Sequence, residues 1–139
     1  MDEEQVARLV RAARRVAVLG MKTEAQAAQP AYYVPAYLAA AGLTIFPVPV
    51  YYPEATTILG RPVYRRVAEV PGPLDIVEVF RRPEALPAHV PDLLAARPHA
   101  VWFQSGIRND AVAAQLAAAG IVVVQDRCLM VDHRRYGAR

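Results

Sequence analysis

The stretch Val16-Ala-Val-Leu-Gly20-Met-Lys-Thr23 decides the class of fold. Its apolar start predicts a buried strand from Val16 to Leu19, and Gly20 predicts a sharp turn where that strand ends. Lys22, the one lysine of the chain, lies in this turn. Many α/β proteins bind phosphate where a strand opens through glycine into a helix, because the free N–H groups of the helix attract an anion. The alternative is an ordinary strand-to-loop glycine, and this motif alone does not separate the two.

Length and composition predict one cytoplasmic domain that spans residues 1–139. A chain of 139 residues with 55% hydrophobic content can bury a core of its own. No apolar run is long enough for a membrane span, and the N-terminus lacks the basic and apolar regions of a secretion signal. The single cysteine, Cys128, excludes an internal disulfide, and the three histidines show no metal-ligand spacing, so we expect no metal site.

The charge pattern favours a small anionic ligand over nucleic acid. The formal net charge is +3, which is weak for a nucleic-acid-binding protein. Eight arginines occur as four adjacent pairs rather than in a basic stripe with interleaved aromatics; the pairs are Arg14-Arg15, Arg65-Arg66, Arg81-Arg82 and Arg134-Arg135. We therefore expect most of these pairs to be solvated surface and one or two to contact a ligand.

Strand and helix patterns alternate along the chain, which predicts a doubly wound parallel sheet with helices on both faces. The predicted strands are residues 16–19, 44–48, 75–80, 100–103 and 121–124. We expect the order 3-2-1-4-5, because it places the first strand where the direction of winding reverses. Helices are predicted before the first strand and after the first, third and fourth, the second of them beginning shortly before Pro35. Residues 49–64 are predicted to be an irregular loop, and residues 125–133 to be a tail.

The residues that follow the strands argue against NAD and for a ligand with several phosphates. A dinucleotide site needs three spaced glycines after the first strand and an acidic residue after the second, and the chain has neither. The P-loop motif is also missing. Lys22 follows the first strand and Arg81-Arg82 the third, and cations grouped at strand ends suit phosphates. Two solvated arginines are the alternative for that pair, and ordinary turn chemistry is the alternative for Gln104-Ser-Gly106.

Several blocks together resemble a known family. They are Val16-Ala-Val-Leu-Gly20, Tyr33-Val-x-x-Tyr-Leu38, Pro47-Val48, Ile58-Leu-Gly60, Asp75-Ile-Val-x-Val-Phe-Arg81, Trp102-x-Gln-x-Gly-Ile-Arg-Asn109 and Asp126-Arg-Cys128. This pattern is similar to the small bacterial CoA-binding domain proteins, which resemble the N-terminal CoA-binding domain of the succinyl-CoA synthetase α subunit. The resemblance covers nearly the whole chain, and it implies a Rossmann-like fold with coenzyme A as ligand.

The resemblance also implies a set of contact residues. Gly20, Met21, Lys22 and Thr23 would line the phosphate turn; Pro47, Val48 and Pro49 would flank the adenosine; Phe80, Arg81 and Arg82 would border the pyrophosphate or pantetheine; Gln104, Ser105 and Gly106 would close the other wall. The family usually continues Pro-Val with Asn-Pro, and this chain has Pro49-Val50 instead. A polar side chain near the nucleotide is therefore missing, which bears on the adenosine contacts.

We expect the domain to bind CoA or an acyl-CoA without catalysing a reaction by itself. The synthetase works through a phosphorylated histidine in a second domain, and His89 and His99 are interpreted as structural. Asp132-His133 is a weak acid–base candidate because adjacent residues seldom orient each other, and Cys128 is interpreted as a buried apolar residue. Two alternatives stay open: an NAD(P)- or nucleotide-dependent enzyme with a degenerate loop, and a CoA-site subunit of an acyl-CoA ligase. A protein partner or a homo-oligomer is compatible with either interpretation.

Overall fold

A computed structural model describes residues 1–137, and within them five parallel strands form one sheet. In chain order the strands of the protein are β1 (Arg15–Leu19), β2 (Thr44–Val48), β3 (Thr57–Ile58), β4 (Arg61–Pro62), β5 (Ile76–Val79), β6 (Ala100–Phe103) and β7 (Val122–Val124). The short strands β3 and β4 form a separate antiparallel hairpin inside the segment predicted to be irregular. The bounds of the other five strands lie within one residue of the prediction, because apolar residues make up most of each strand, although β5 also carries Glu78.

Helices cover both faces of the sheet, which confirms the predicted α/β class. The helices of the described residues are α1 (Glu3–Ala12), α2 (Pro30–Ala40), α3 (Val90–Ala96), α4 (Asp110–Ala118) and α5 (Leu129–Tyr136). Buried residues of α1, α2 and α5 share one apolar cluster with the sheet, and those of α3 and α4 share the cluster on the opposite face. Among residues 1–137 no helix has the length and apolar content needed to cross a membrane.

The third long strand, β5, lies between β1 and β6. The observed order is β2-β1-β5-β6-β7, which in units of the five long strands is 2-1-3-4-5 rather than the predicted 3-2-1-4-5. The carboxylate of Asp75 accepts the backbone N–H groups of Arg14 and Arg15, both at 2.8 Å, and so holds the start of β5 beside the start of β1. The winding therefore reverses between β1 and β5, and the crevice that such a reversal creates opens beside the turn at Gly20.

Within residues 1–137 no strand pairs with the outer side of β2, and Pro47 gives a reason for this. The N–H of Thr44 bonds to Arg14 on the β1 side, so the alternation of a strand turns position 47 outward. Pro47 has no N–H to offer there, and proline inside a strand is typical of a sheet edge. The carbonyl of Pro47 instead accepts the N–H of Tyr64 at 2.9 Å, from the connection that leads to β5.

Two helices differ from the prediction. Helix α2 begins at Pro30 rather than just before Pro35, so Pro30 occupies the first turn and Pro35 lies inside the helix. Helix α5 occupies much of the segment predicted to be a tail. Its sequence hides it, because the side chains that it buries include the polar pair Asp132 and His133 and show no apolar period.

Candidate ligand-binding site

The turn after β1 passes directly against the end of β5. Gly20 has φ +87°, and a Cβ atom there would clash with the carbonyl oxygen of Phe80 and lie 3.2 Å from Cδ of Arg81. Glycine is therefore required by the neighbouring strand end as well as by the backbone conformation. This contact brings the residues after β1 and the residues after β5 to one place at the carboxyl edge of the sheet.

The backbone of this turn is largely occupied by contacts within the chain. Gly20 donates its N–H to Val48 at 2.8 Å, Lys22 to Ala31 at 3.2 Å, and Thr23 to the side-chain oxygen of Gln26 at 3.0 Å. Three of the four N–H groups between residues 20 and 23 are thus used before any ligand arrives. An anion at this turn would be held mainly by side chains rather than by a cradle of backbone amides.

Pro35 is connected to this arrangement through the carbonyl of Ala31. In a regular helix that carbonyl would accept the N–H of the residue four positions later. Pro35 has no N–H, and the carbonyl of Ala31 instead accepts the N–H of Lys22. Pro35 thus leaves the carbonyl of Ala31 without a partner inside α2, and the hydrogen bond from Lys22 to that carbonyl holds the loop after β1 against the helix.

Two clefts adjoin at the carboxyl edge of the sheet. The first has a volume of about 360 Å³, and its lining is Lys22, Gln29, Pro30, Ala31, Phe80, Arg81, Arg82, Pro83, Gln104, Ser105, Gly106 and Ile107. The second has a volume of about 190 Å³, and its lining is Gly20, Met21, Lys22, Val50, Tyr51, Tyr52, Phe80, Arg81 and Arg82. We call the four residues common to both, Lys22, Phe80, Arg81 and Arg82, the shared wall.

Most of the residues predicted for the site meet here. The residues brought together at the two clefts are Gly20, Met21, Lys22, Phe80, Arg81, Arg82, Gln104, Ser105 and Gly106. Met21 is fully buried in the core, although it is among the residues that border the second cleft. Thr23 lines neither cleft, because its hydroxyl bonds to Gln26 at 2.8 Å and caps a short 3-10 turn.

The residues after β2 contribute at a different position from the one predicted. Pro47, Val48 and Pro49 are buried and line neither cleft. The next three residues, Val50, Tyr51 and Tyr52, border the second cleft instead. The side chain of Tyr51 is 63% exposed, and the nearby ring of Tyr52 meets it edge to face at 6.5 Å.

Arg81 is a cation of the shared wall whose side chain contacts two neighbouring rings. Its Nε donates to Nε2 of His89 at 3.1 Å, and its guanidinium lies 5.5 Å from the centre of the Tyr51 ring. A hydrogen bond that Arg81 donates to the hydroxyl of Tyr51, together with the charge of Arg81, holds the pKa of the Tyr51 phenol below its usual value. Arg82 is more exposed and lies 3.6 Å from the carboxylate of Glu84.

His89 lies beside Arg81 of the shared wall, although it lines neither cleft. The sequence interpretation placed it away from the strand ends, but a 3-10 segment from Pro83 to His89 brings it back to Arg81. Burial lowers the pKa of His89, and the charge of Arg81 lowers it further against a weaker opposing effect of Asp92. The sequence shows that His89 follows Arg81 by eight residues. That spacing indicates a contact only when the fold of the segment between them is known.

The other wall of the first cleft is held by residues after β6 and β7. Gln104 is buried, and its side-chain oxygen accepts the N–H of Leu129 at 3.4 Å, at the start of α5. Gly106 donates its N–H to the carboxylate of Asp126 at 2.6 Å. These bonds connect the Gln104-Ser-Gly106 turn to the segment after β7, and that segment holds the turn in position.

The catalytic candidates considered from the sequence lie apart from the clefts. Asp132 is bound by the guanidinium of Arg127, with contacts of 2.8 and 2.9 Å, whereas Nδ1 of His133 lies 2.9 Å from the hydroxyl of Tyr37. Asp132 and His133 therefore have separate partners. Cys128 is half-buried at the N-cap of α5. Within the described part of the chain, no group of three or more His, Cys, Asp or Glu side chains is arranged to hold a metal ion.

The fold and the site define a small α/β domain with a cationic cleft at the switch point of a parallel sheet. Residues 14–134 match the family described as the CoA binding domain, and the chain belongs to that family. This match covers most of the sequence, and it confirms the resemblance seen in the sequence blocks.

Two full-length relatives share this domain. The uncharacterized protein YneT of Bacillus subtilis is 30% identical over 132 residues, which are 95% of this chain and 94% of that protein. A Thermus thermophilus protein of solved structure is 39% identical with a TM-score of 0.88, over 98% of this chain and 99% of that chain.

The same fold occurs within a longer enzyme. A dinucleotide-forming acetyl-coenzyme A synthetase of Ca. Korarchaeum cryptofilum, solved with phosphate and ADP, has a TM-score of 0.63 at 15% identity. The match covers 84% of this chain and 27% of the synthetase chain. At this level of identity the likeness shows a shared fold alone.

Proposed function

We propose that this protein binds coenzyme A or an acyl-CoA at the carboxyl ends of its parallel strands. The observation that carries the proposal is the shared wall, where Lys22, Arg81 and Arg82 present three positive charges beside the switch point of the sheet. Coenzyme A carries a pyrophosphate and a 3′-phosphate, and grouped cations bind such oxygens through charge-assisted hydrogen bonds. Membership of the CoA-binding domain family supports the same ligand.

The shape of the site suits a long ligand with chemically different ends. The two clefts meet along the shared wall, so a molecule that crosses the wall can occupy both. The exposed ring of Tyr51 in the second cleft offers a stacking surface for adenine. Pro30, Pro83 and Ile107 give the first cleft an apolar portion suited to the pantetheine arm. The phosphates would then lie at the wall between the two.

The second cleft also argues against NAD(P) as the ligand. Ribose recognition in that class uses an acidic side chain just after the second strand. The residues that border the cleft there are Val50, Tyr51 and Tyr52, which offer no carboxylate. Phenol and apolar side chains leave a ribose diol without its usual acceptor.

We propose further that the domain does not transform its ligand by itself. The ionisable side chains among the described lining residues of the two clefts are Lys22, Arg81, Arg82, Tyr51 and Tyr52. Such a set can bind and orient phosphates, and it lacks a carboxylate or imidazole to serve as a general base. Incubation of the pure protein with CoA, ATP and acetate or succinate should leave CoA unchanged, and formation of an acyl-CoA would contradict this part of the proposal.

Calorimetric titration with four ligands tests the binding proposal. CoA and acetyl-CoA should bind with similar affinity, because the thioester end lies beyond the phosphate contacts. ATP should bind more weakly because it lacks the pantetheine arm, and NAD more weakly still. Tighter binding of NAD than of CoA would overturn the proposal and restore the dinucleotide alternative.

A further inference from the structure

His89 and Arg81 form a pair whose hydrogen bond has a defined direction. Nε of Arg81 always carries a hydrogen, so at 3.1 Å Nε2 of His89 must act as the acceptor. The imidazole is then neutral, with its proton on Nδ1. His89 is half-buried at the end of the segment that begins with Pro83 in the wall of the first cleft.

We infer that His89 is a positioning residue for Arg81 in CoA binding. By accepting the Nε–H, it fixes the plane of the guanidinium and leaves the terminal nitrogens for ligand phosphate. The phenol of Tyr51, 3.5 Å from Nη1, restrains the same group from the opposite side. A guanidinium held in one orientation loses less conformational freedom when it binds a phosphate, so affinity rises without an added contact to the ligand. The inference rests on the proposed function, because it assumes that Arg81 binds CoA.

The same pair makes the affinity depend on pH. Protonated His89 has no acceptor at Nε2, and its charge then repels Arg81. The charged and titratable groups around the pair are Asp92 on α3, Tyr51 after β2, and Lys22 and Arg82 on the shared wall. Asp92 is itself engaged by the N–H groups of Val67 and Ala68 at 2.7 and 2.9 Å. Burial and Arg81 keep His89 neutral at physiological pH, so the orientation is lost only under acid conditions.

The test compares His89→Gln and His89→Leu with the parent, using CoA at pH 8 and pH 5.5. Glutamine can accept the Nε–H at both pH values, and leucine cannot accept it at either. His99→Gln and His99→Leu are the matched controls, because His99 is exposed and lies just before β6 at the opposite edge of the sheet. Dephospho-CoA is titrated in parallel because it lacks the 3′-phosphate, the ligand group that takes up a proton in this pH range. A pH dependence that persists with dephospho-CoA therefore comes from the protein.

At pH 8 we expect His89→Leu to bind CoA roughly three- to tenfold more weakly than the parent, the worth of one hydrogen bond, and His89→Gln to bind close to the parent. Between pH 8 and pH 5.5 the parent and the His99 variants should lose more affinity than His89→Gln does. Equal affinities of the parent and His89→Leu at pH 8 would overturn the positioning role while CoA binding stands. A parent that binds no CoA would instead overturn the proposed function, and this role with it.

Discussion

Arg81 is the residue on which the site depends most, because it borders both clefts and is held by two neighbours. His89 fixes its Nε, and Tyr51 lies beside its guanidinium. Arg82 is the next residue, and within residues 1–137 its one ion-pair partner is the exposed carboxylate of Glu84. Under the proposed function, the hydrogen-bonded guanidinium of Arg81 would set the position of a phosphate, and the exposed Arg82 would add charge.

Replacing Arg81 and Arg82 by alanine should weaken CoA binding by roughly 1.5–3 kcal/mol or more, the range for hydrogen bonds to charged groups. Arg134→Ala with Arg135→Ala is the matched control, since it removes the same charge from the last turn of α5, outside both clefts. Calorimetry gives the affinities, and circular dichroism verifies the fold of each variant. Equal losses in the two double variants would mean that only overall charge matters.

Gly20 allows a second comparison between two residues with the same backbone conformation. Gly20 and Gly120 have φ of +87° and +86°, but a Cβ at Gly120 would meet nothing within 4 Å, whereas one at Gly20 would strike the carbonyl of Phe80. Gly120→Ala should cost about 1–2 kcal/mol of stability for the left-handed conformation. Gly20→Ala should cost clearly more and should also impair CoA binding, because β1 and the end of β5 must separate. Urea denaturation measures the difference, and equal costs would contradict the close approach.

At the scale of elements, the apolar strands and the helices with clear caps could be predicted from the sequence. Val16 to Leu19 and Ala100 to Phe103 are continuous apolar runs, and Asn109 caps α4 by accepting the N–H of Val112. The position of β5 in the sheet could not be predicted, because it depends on Asp75 bonding to residues sixty positions away. Pro47 was a local signal that β2 is an edge strand, and the prediction did not use it.

The candidate site could be predicted from its strand ends but not from its loops. The sequence located Gly20, Lys22 and Arg81 because each follows a strand directly. It placed His89 away from the strand ends and left open whether Tyr51 packs or contacts a ligand, because both positions depend on how residues 50–55 and 83–89 fold back, which has no period to detect. It also assigned phosphate binding to the backbone of the first turn, whereas the N–H of Lys22 bonds to the carbonyl that Pro35 leaves unfilled.

Strand β5 carries an unusual buried acid. Glu78 is fully buried between Val18 and Trp102 of the neighbouring strands, and neither of its carboxylate oxygens has a hydrogen-bond partner within residues 1–137. Burial raises the pKa of Glu78 from 4.5 to about 8. The folded protein therefore keeps a proton at neutral pH that the unfolded chain releases.

The contribution of Glu78 to stability should fall as pH rises from about 4.5 to about 8 and level off above that, because only the folded state holds the proton in this window. Glu78→Met removes the buried acid at similar volume, so its advantage over the parent should grow across the same window by an amount on the order of a few kcal/mol. Glu4→Met, on the exposed side of α1, is the control. Urea denaturation at pH 5 and pH 8.5 measures the change, and an advantage that stays constant with pH would contradict an unpaired buried carboxyl.

On the scale of the whole molecule, the order 2-1-3-4-5 places the site where the chain turns from one side of the sheet to the other. Beyond the contact at Gly20, the connection after β1 leads to α2 on one face of the sheet and the connection after β5 leads to α3 on the other, so a crevice opens between them. The three cations of the shared wall lie on these two loops. A ligand bound there contacts segments far apart in sequence, and it binds only when the sheet is assembled.

The most direct test of the central claim is the melting temperature of the parent protein with CoA and with NAD, each at millimolar concentration. A ligand that binds only the native state raises stability by mass action, by about 2.7 kcal/mol at a hundred times its dissociation constant. The account predicts a clear rise in melting temperature with CoA and little or none with NAD. No shift with CoA alongside a clear shift with NAD would contradict it.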